Sequence, residues 1–399
     1  MKLMGGKQSL LRSMNRELIL SVLSKQSMSN SDLAKTIKLS NTGVVTIIDE
    51  MVQEGLLNKT DAENTSIGRR PILLSINPGY GMVMVVMFAQ FVEVNLYSLN
   101  RDVLYKYKEP VTGRYSDEDL QNLLEKMYSV VRNQFPEHRL ICICISAPGK
   151  VNKHTGEIIY APFFKTYHGI NLKELFFEKF NVPVFVKNDI RFALLAEKSD
   201  GEYKDLINDT FYIQLGEGIG GAMFLDGKLY EGRSGLNGEL GLFLVDCLHQ
   251  SFPLDMVEQK KYLHQVCSLY HILEIIRNEI KNGAECCISK PPEEITIKDV
   301  AEAYENGDFL CSEVVNSTAR VAANVLKSLF EILDFDLILV SRTTLPFGEK
   351  YLQALSSYVN ADNNNVYIKV CFASFGREGV EIGAKNYAIE QAIKIVAKT

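Results

Sequence analysis

The segment SNSDLAKTIKLSNTGVVTIIDEMVQEG, Ser29 to Gly55, constrains the fold of this chain more than any other stretch. Ser29 and Asp32 stand at capping-box spacing and Leu33 and Ile37 lie one helical turn apart, so a helix is predicted to start here. A second start follows after only Lys38 to Ser40. Ser40 is placed to cap it, Val44, Ile48, Met51 and Val52 form its buried stripe, and Gly55 stands where a left-handed C-cap is needed. Two helices joined by so short a turn make a helix-turn-helix. Upstream, NRELILSVLSK puts Leu18, Ile19, Val22 and Leu23 on one helical face with Asn15 available as the cap. Downstream, LLNKT and RRPILLSI alternate as strands around the polar turn DAENTSIG, the hairpin of a wing. The spacing therefore predicts a winged helix-turn-helix over residues 1–78.

The exposed positions of this unit divide into two chemical kinds. Ser40, Asn41 and Thr42 at the start of the third helix, with Thr46 one turn on, are short polar groups that reach base edges in a major groove without burying a charge. Lys38 before the helix and Lys59, Arg69 and Arg70 in the wing are cations suited to phosphate. Asp49 and Glu50 would repel phosphate, so only the N-terminal half of the third helix is expected to enter the groove. The plainer alternative is a small helical interaction domain in which Arg69 and Arg70 are solvated linker charges.

Charge supports the division. Residues 1–78 carry ten Lys and Arg against seven Asp and Glu, about +3, which leaves −9 for the remainder of a chain of net charge −6. A basic front on an acidic body points to a front that faces nucleic acid, and with the helix-turn-helix the expected partner is double-stranded DNA. At 399 residues the chain exceeds one ordinary core. Its most apolar stretch, Met84 to Phe91, is far shorter than the roughly 20 residues of a membrane span, and no membrane association is expected. The N-terminus shows no export signal, and Cys142 and Cys144 on one strand, like adjacent Cys286 and Cys287, do not make a disulfide framework. A cytoplasmic location is the simplest expectation.

The order of these helices followed by GRRPILLSINPGYG, Gly68 to Gly81, resembles the winged helix-turn-helix of the ROK family, a group of repressors and sugar kinases sharing an actin-like, ribonuclease H-like body. The resemblance implies that the front binds operator DNA and that the body binds a sugar or sugar phosphate. The rest of the chain fits independently. Strand-like MVMVVMF, EVNLYSL and VLYKYKE follow one another, a helix is predicted over Asp117 to Gln134, and strands then alternate with helices to the end. This is a mixed α/β body of two lobes over residues 79–399.

The ligand residues come by resemblance. KNDIRFALLAE matches the family's Asn-Asp motif, which makes Asn188 and Asp189 sugar contacts and Asp189 a general base at a strand end; a helix N-cap is the plain role for the same side chain. Glu239 in GELG matches a sugar-contacting glutamate. His264 falls where a second such glutamate is expected, and an ordinary helix histidine is the alternative.

The run LGEGIGGAMFLDG, Leu215 to Gly227, suits either a phosphate loop or a tight β-hairpin. Against the family's nucleotide motifs, Val86, Phe88, Ala89 and Gln90 replace an Asp, two Gly and a Thr, and Glu217 replaces a Thr. Phe88 is expected to block the approach of a triphosphate and Glu217 to repel it, so the run reads as a hairpin and Asp189 as a vestigial base. The family's zinc pattern is also broken, with Leu242 in place of its histidine and Cys247, His249, His264 and Cys267 at unsuitable spacings; neither metal nor cofactor is expected. The sequence thus predicts a transcriptional regulator, of repressor type, for carbohydrate-utilisation genes. Its body would be catalytically inactive and serve as effector and oligomerisation domain in a homodimer or homotetramer. The rival reading is a working sugar kinase with an N-terminal regulatory domain.

Overall fold

The computed structural model describes residues 3–61, 72–111, 116–161, 168–245, 262–361 and 366–398. Unit 1 comprises residues 1–188 and 384–399, and unit 2 residues 189–383.

Unit 1 opens with α1 (Leu3–Leu23), β1 (Met28–Ser29), α2 (Asn30–Ile37) and α3 (Asn41–Gln53), followed by β2 (Leu57–Asp61) and β3 (Ile72–Ile76). The Ser29 hydroxyl accepts from the Asp32 amide at 3.2 Å and the Ser40 hydroxyl from the Gly43 amide at 3.3 Å, as the capping pattern predicts. Lys38 takes a left-handed conformation (φ 56°) to close α2, and Gly55 (φ 74°) follows α3. β3 pairs antiparallel with both β1 and β2. Leu33, Val44, Ile48, Met51, Leu74 and Ile76 are buried. The turn DAENTSIG lies almost wholly outside the described residues.

Two details of the helices differ from expectation. Asn15 is no cap, because α1 has been helical since Leu3. Its inner residues are Ile19, Leu20 and Leu23, while Leu10, Leu11, Met14 and Leu18 are exposed on its outer side. A helix whose apolar residues occupy two faces misleads a reading that assumes one. In α3, Ile47 is buried and Val52 only partly so.

The boundary expected at residue 78 falls in the turn before β4 (Gly81–Phe88). β5 (Phe91–Ser98), β6 (Val103–Pro110), β7 (Arg139–Ala147) and β10 (Val184–Asn188) complete a sheet of order β10-β7-β4-β5-β6. The small β8 (Lys150–Val151) and β9 (Ile158–Tyr160) pair with each other. Met82, Met84, Val86 and Phe88 pack on α4 (Asp117–Gln134) through Leu120, Leu124 and Met127. On the opposite face the Cys142 thiol donates to the Ala388 carbonyl at 3.4 Å in the closing helix Glu378–Val396. Burial on both faces explains why β4 reads as an unbroken apolar run.

Unit 2 repeats this topology. α6 (Asp189–Asp200) leads to β11 (Thr210–Leu215), β12 (Ile219–Leu225) and β13 (Lys228–Leu229), and with β14 (Leu337–Val340) and β15 (Lys369–Phe372) these form a sheet of order β13-β12-β11-β14-β15. In each sheet the three strands first in sequence run antiparallel and the last two add in parallel. One face covers the long helix Phe309–Leu333 through Phe211, Ile213 and Val340, and the other packs Tyr212, Phe224 and Leu339 on α6. Among the described residues no helix is long and apolar enough to cross a membrane.

Candidate nucleic-acid interface and ligand site

The exposed edge of the helix-turn-helix is built by the two caps and the Lys38 turn. Asn41 and Thr42 open α3, with side chains outside the described residues; Ser40 and Thr46 are exposed beside them. Lys38 is exposed at the turn. Lys59 departs from the expectation of a free cation. Its Nζ lies 2.7 Å from Asp49 on α3, so Asp49 is neutralised within the unit and Lys59 reaches phosphate only by exchanging partners. Arg69 and Arg70 lie outside the described residues.

Sequence reasoning missed the clamp behind α3. Arg16 of α1 is 5% exposed and donates through both terminal nitrogens to Glu54 at the end of α3, one bond being 2.8 Å, while Arg12 pairs with Glu50. The hydrogen bonds to Arg16 hold the Glu54 carboxyl below its ordinary range. The acidic half of α3 is therefore tied to α1 and Lys59, while Gly43, Val45 and Thr46 nearer its start are exposed. The spacing Arg12, Arg16 and Glu50, Glu54, one turn apart in each helix, is the sequence signal for the clamp.

A polar tie also joins this module to the first sheet. Asn100 donates to the Ile76 carbonyl at 2.7 Å. Arg101, held at φ 73°, donates to the Ser24 carbonyl just after α1 at 3.2 Å and bonds Asn386 of the closing helix. Its positive charge complements the carbonyl end of α1.

In unit 1, Asn188 ends β10 and donates to the Gly149 carbonyl at 2.9 Å. Unit 2 starts at Asp189, whose carboxylate accepts from the Ile190 amide at 2.9 Å. It is the first residue of α6 rather than the residue before it. Two residues on, Arg191 is 3% exposed and donates to the carbonyl of Gly235 at 2.8 Å, the side-chain oxygen of Asn237 at 2.8 Å and the Asn237 carbonyl at 3.2 Å. Burial lowers the Arg191 pKa, and the nearby carboxylates of Glu231 and Glu239 oppose that shift. This guanidinium, absent from the sequence-based site, positions the loop that carries Glu239. A charged residue inside the apolar run of RFALLA was the signal for it.

The glycine run now has a packing explanation. β11 and β12 form a hairpin with Leu215 opposite Ile219, closed by the Gly216 amide on the Gly218 carbonyl at 3.0 Å. A Cβ on Gly220 would lie 2.6 Å from the Ile190 side chain of α6, and one on Gly238 would lie 2.1 Å from the Gly221 carbonyl oxygen. Gly238 also has φ 97°. The glycines let α6 and the Glu239 loop approach β12. Glu239 is half-buried at the start of a single 3-10 turn, Leu240–Leu242. His264 Nδ1 donates to the Gly241 carbonyl oxygen at 2.6 Å, because a carbonyl oxygen can only accept. His264 stacks on Tyr262. Unit 2 thus brings together Glu239 and His264 through Gly241, and the Glu239 loop and Asp189 through Arg191.

Phe88 corrects an expectation. It is 2% exposed in the core on α4, because residues 82, 84, 86 and 88 share one face of β4, and so it presents no ring to a ligand. The exposed residues there are Ala89 and Gln90 in the tight turn to β5. Glu217 is exposed at the hairpin tip. Among the described residues the family zinc site finds no fit. Leu242 stands at its histidine position, His264 is engaged by Gly241, and the buried Cys267 thiol faces the Thr318 carbonyl at 3.4 Å. Cys247 and His249 lie outside the described residues.

Two capped helices at a three-residue turn, followed by two sheets of repeated topology, define a mixed α/β protein with an actin-like body. The ROK family model matches residues 89–391, and the chain belongs to the ROK family. It is 25% identical over 367 residues to the xylose repressor of Caldicellulosiruptor bescii, covering 89% of each chain. It is 24% identical over 337 residues to the DNA-binding transcriptional dual regulator NagC of Escherichia coli, covering 84% of this chain and 81% of NagC. Among solved structures, a ROK family transcriptional regulator described as a homologue of the E. coli MLC protein aligns with TM-score 0.74 and 21% identity over 97% of this chain and 98% of its own. The ROK hexokinase of Thermus thermophilus aligns with TM-score 0.61 and 20% identity over 77% of this chain and 97% of its own.

Proposed function

We propose that this protein is a sugar-responsive, DNA-binding transcription regulator of the repressor type, with a body that binds a sugar or sugar phosphate but transfers no phosphate. The observation that carries the reading is the front module itself: two capped helices at a three-residue turn, with Ser40 and Thr46 exposed on the N-terminal half of α3 and its acidic end clamped. The solved regulator follows the chain over 97% of its length, whereas the hexokinase leaves about the share that precedes the family match. The similarity to repressors named for xylose and N-acetylglucosamine supports a sugar as effector. Asp189, Glu239 and His264, all in unit 2, would hold its hydroxyls, and Asn188 is a candidate by the family resemblance alone.

Loss of catalysis follows from the nucleotide side. Val86 occupies the position of the kinase aspartate and is buried in the lobe core, Ala89 and Gln90 form a turn without glycine, and Glu217 places an anion at the hairpin tip. In-line transfer needs both substrates positioned, so a base at Asp189 is insufficient. A coupled ATPase assay over hexoses, amino sugars and pentoses should show no turnover and ATP should give no thermal stabilisation. A sugar that binds should change DNA affinity in the wild type and not in Asp189→Ala, whose sugar-free DNA binding stays intact. Turnover above background that is lost in Asp189→Ala would restore the kinase with a regulatory front.

The wing arginines would supply phosphate contacts. Replacing Arg69 and Arg70 by Ala should weaken binding on every sequence and flatten the slope of log affinity against log salt by about 0.9 per lost contact. An unchanged slope would remove both residues from the interface. Because helix-turn-helix dimers read two half-sites, a homodimer or homotetramer is the assembly that fits, and the outer face of α1, with Leu10, Leu11, Met14 and Leu18, suits a second copy.

A further inference from the structure

We propose that Cys286, Asp308 and Cys311 form a binding site for a soft divalent cation of the zinc class, separate from the ligand residues and from the family's zinc pattern. Their donor atoms all lie within 4.8 Å of one another. The Cys286 and Cys311 sulfurs are 4.0 Å apart, and the Cys286 sulfur is 3.6 Å from Asp308 Oδ1. A tetrahedral ion with metal–sulfur bonds of about 2.3 Å and a metal–oxygen bond of about 2.1 Å sets its sulfurs about 3.8 Å apart and sulfur and oxygen about 3.6 Å apart. Both separations from the Cys286 sulfur therefore already stand near the edges of such a tetrahedron.

The support around the donors is also in place. Asp308 caps the helix Phe309–Leu333, and its two oxygens accept from the backbone amides of Cys311 at 2.9 Å and Cys287 at 2.8 Å. These bonds fix the carboxylate while leaving lone pairs on both oxygens. Cys311 is buried, Cys286 half-buried and Cys287 exposed, so the approach is from the Cys286 side and the fourth position is open to water. Thiolate donors select a soft or borderline ion over magnesium or calcium. Binding would exchange the two thiol protons for the cation, with Asp308 already ionised, and would tie residues 284–291 to the start of the long helix.

Cobalt titration of the reduced, chelator-treated full chain tests this. The expected result is a thiolate-to-cobalt charge-transfer band saturating at one equivalent, displaced by zinc. Cys286→Ser should abolish the band while circular dichroism stays native, and Asp308→Asn, which keeps a capping oxygen, should weaken affinity at least about tenfold. Cys287→Ser should leave the band unchanged. No band in the wild type, or a band that survives Cys286→Ser or is lost in Cys287→Ser, would overturn the assignment.

Discussion

Asn41→Ala is expected to lower affinity for the preferred DNA site roughly 5- to 150-fold per half-site, the equivalent of the about 1–3 kcal/mol carried by a good base contact. Affinity for random duplex should change by less than about twofold, because an amide neutralises no phosphate. Thr42→Ala should act in the same direction with a smaller effect, since one hydroxyl makes fewer bonds to a base edge. Both residues open α3 directly after the Ser40 cap, and the exposed Thr46 lies one turn on. Fluorescence anisotropy on specific and random duplexes at one salt concentration separates the two losses. An equal loss on both would assign Asn41 to positioning rather than reading.

Glu54→Ala is expected to destabilise the front module by about 2–3 kcal/mol. Removing one partner of a buried pair costs about 3–5 kcal/mol, and that range is reduced here because solvent screens a Glu54 side chain that is 40% exposed. The cost arises chiefly at Arg16, buried at 5% exposure in the wild type, which loses its hydrogen-bonded carboxylate. Hydrogen exchange of the α1 and α3 amides should accelerate before that of unit 2. Because Arg16 depresses the Glu54 pKa, the stabilisation is fully present above the ordinary carboxyl value of 4.5 and is lost as pH falls through the lower folded value. Wild type and Glu54→Ala should therefore converge in stability in acid. Parallel pH profiles would mean that the pair contributes nothing.

The parts of this fold legible in the sequence were those set by local spacing. Ser29 and Ser40 announce their helices, the α4 stripe at Leu120, Leu124 and Met127 faces inward as its period predicts, and the glycine run is a hairpin. The errors arose where a second surface decides. Phe88 looked like a loop residue because β4 is apolar on both faces and alternation gives no clue to direction. The start of α1 was hidden because its apolar residues divide between an inner and an outer face. Arg191 was overlooked because its partners at Gly235 and Asn237 lie more than forty positions away, and no periodicity links them. The Cys286, Asp308 and Cys311 cluster escaped because no periodicity links Cys286 to a pair 22 and 25 positions on.

Genome-wide mapping of the DNA bound by the full chain tests the central claim most directly. The account predicts a small set of sharp sites sharing one motif with two related halves, beside genes for the uptake or breakdown of a single sugar, with occupancy that changes when that sugar is supplied and sites that are lost in Asn41→Ala. Diffuse occupancy with no shared motif, unchanged in Asn41→Ala, would contradict it.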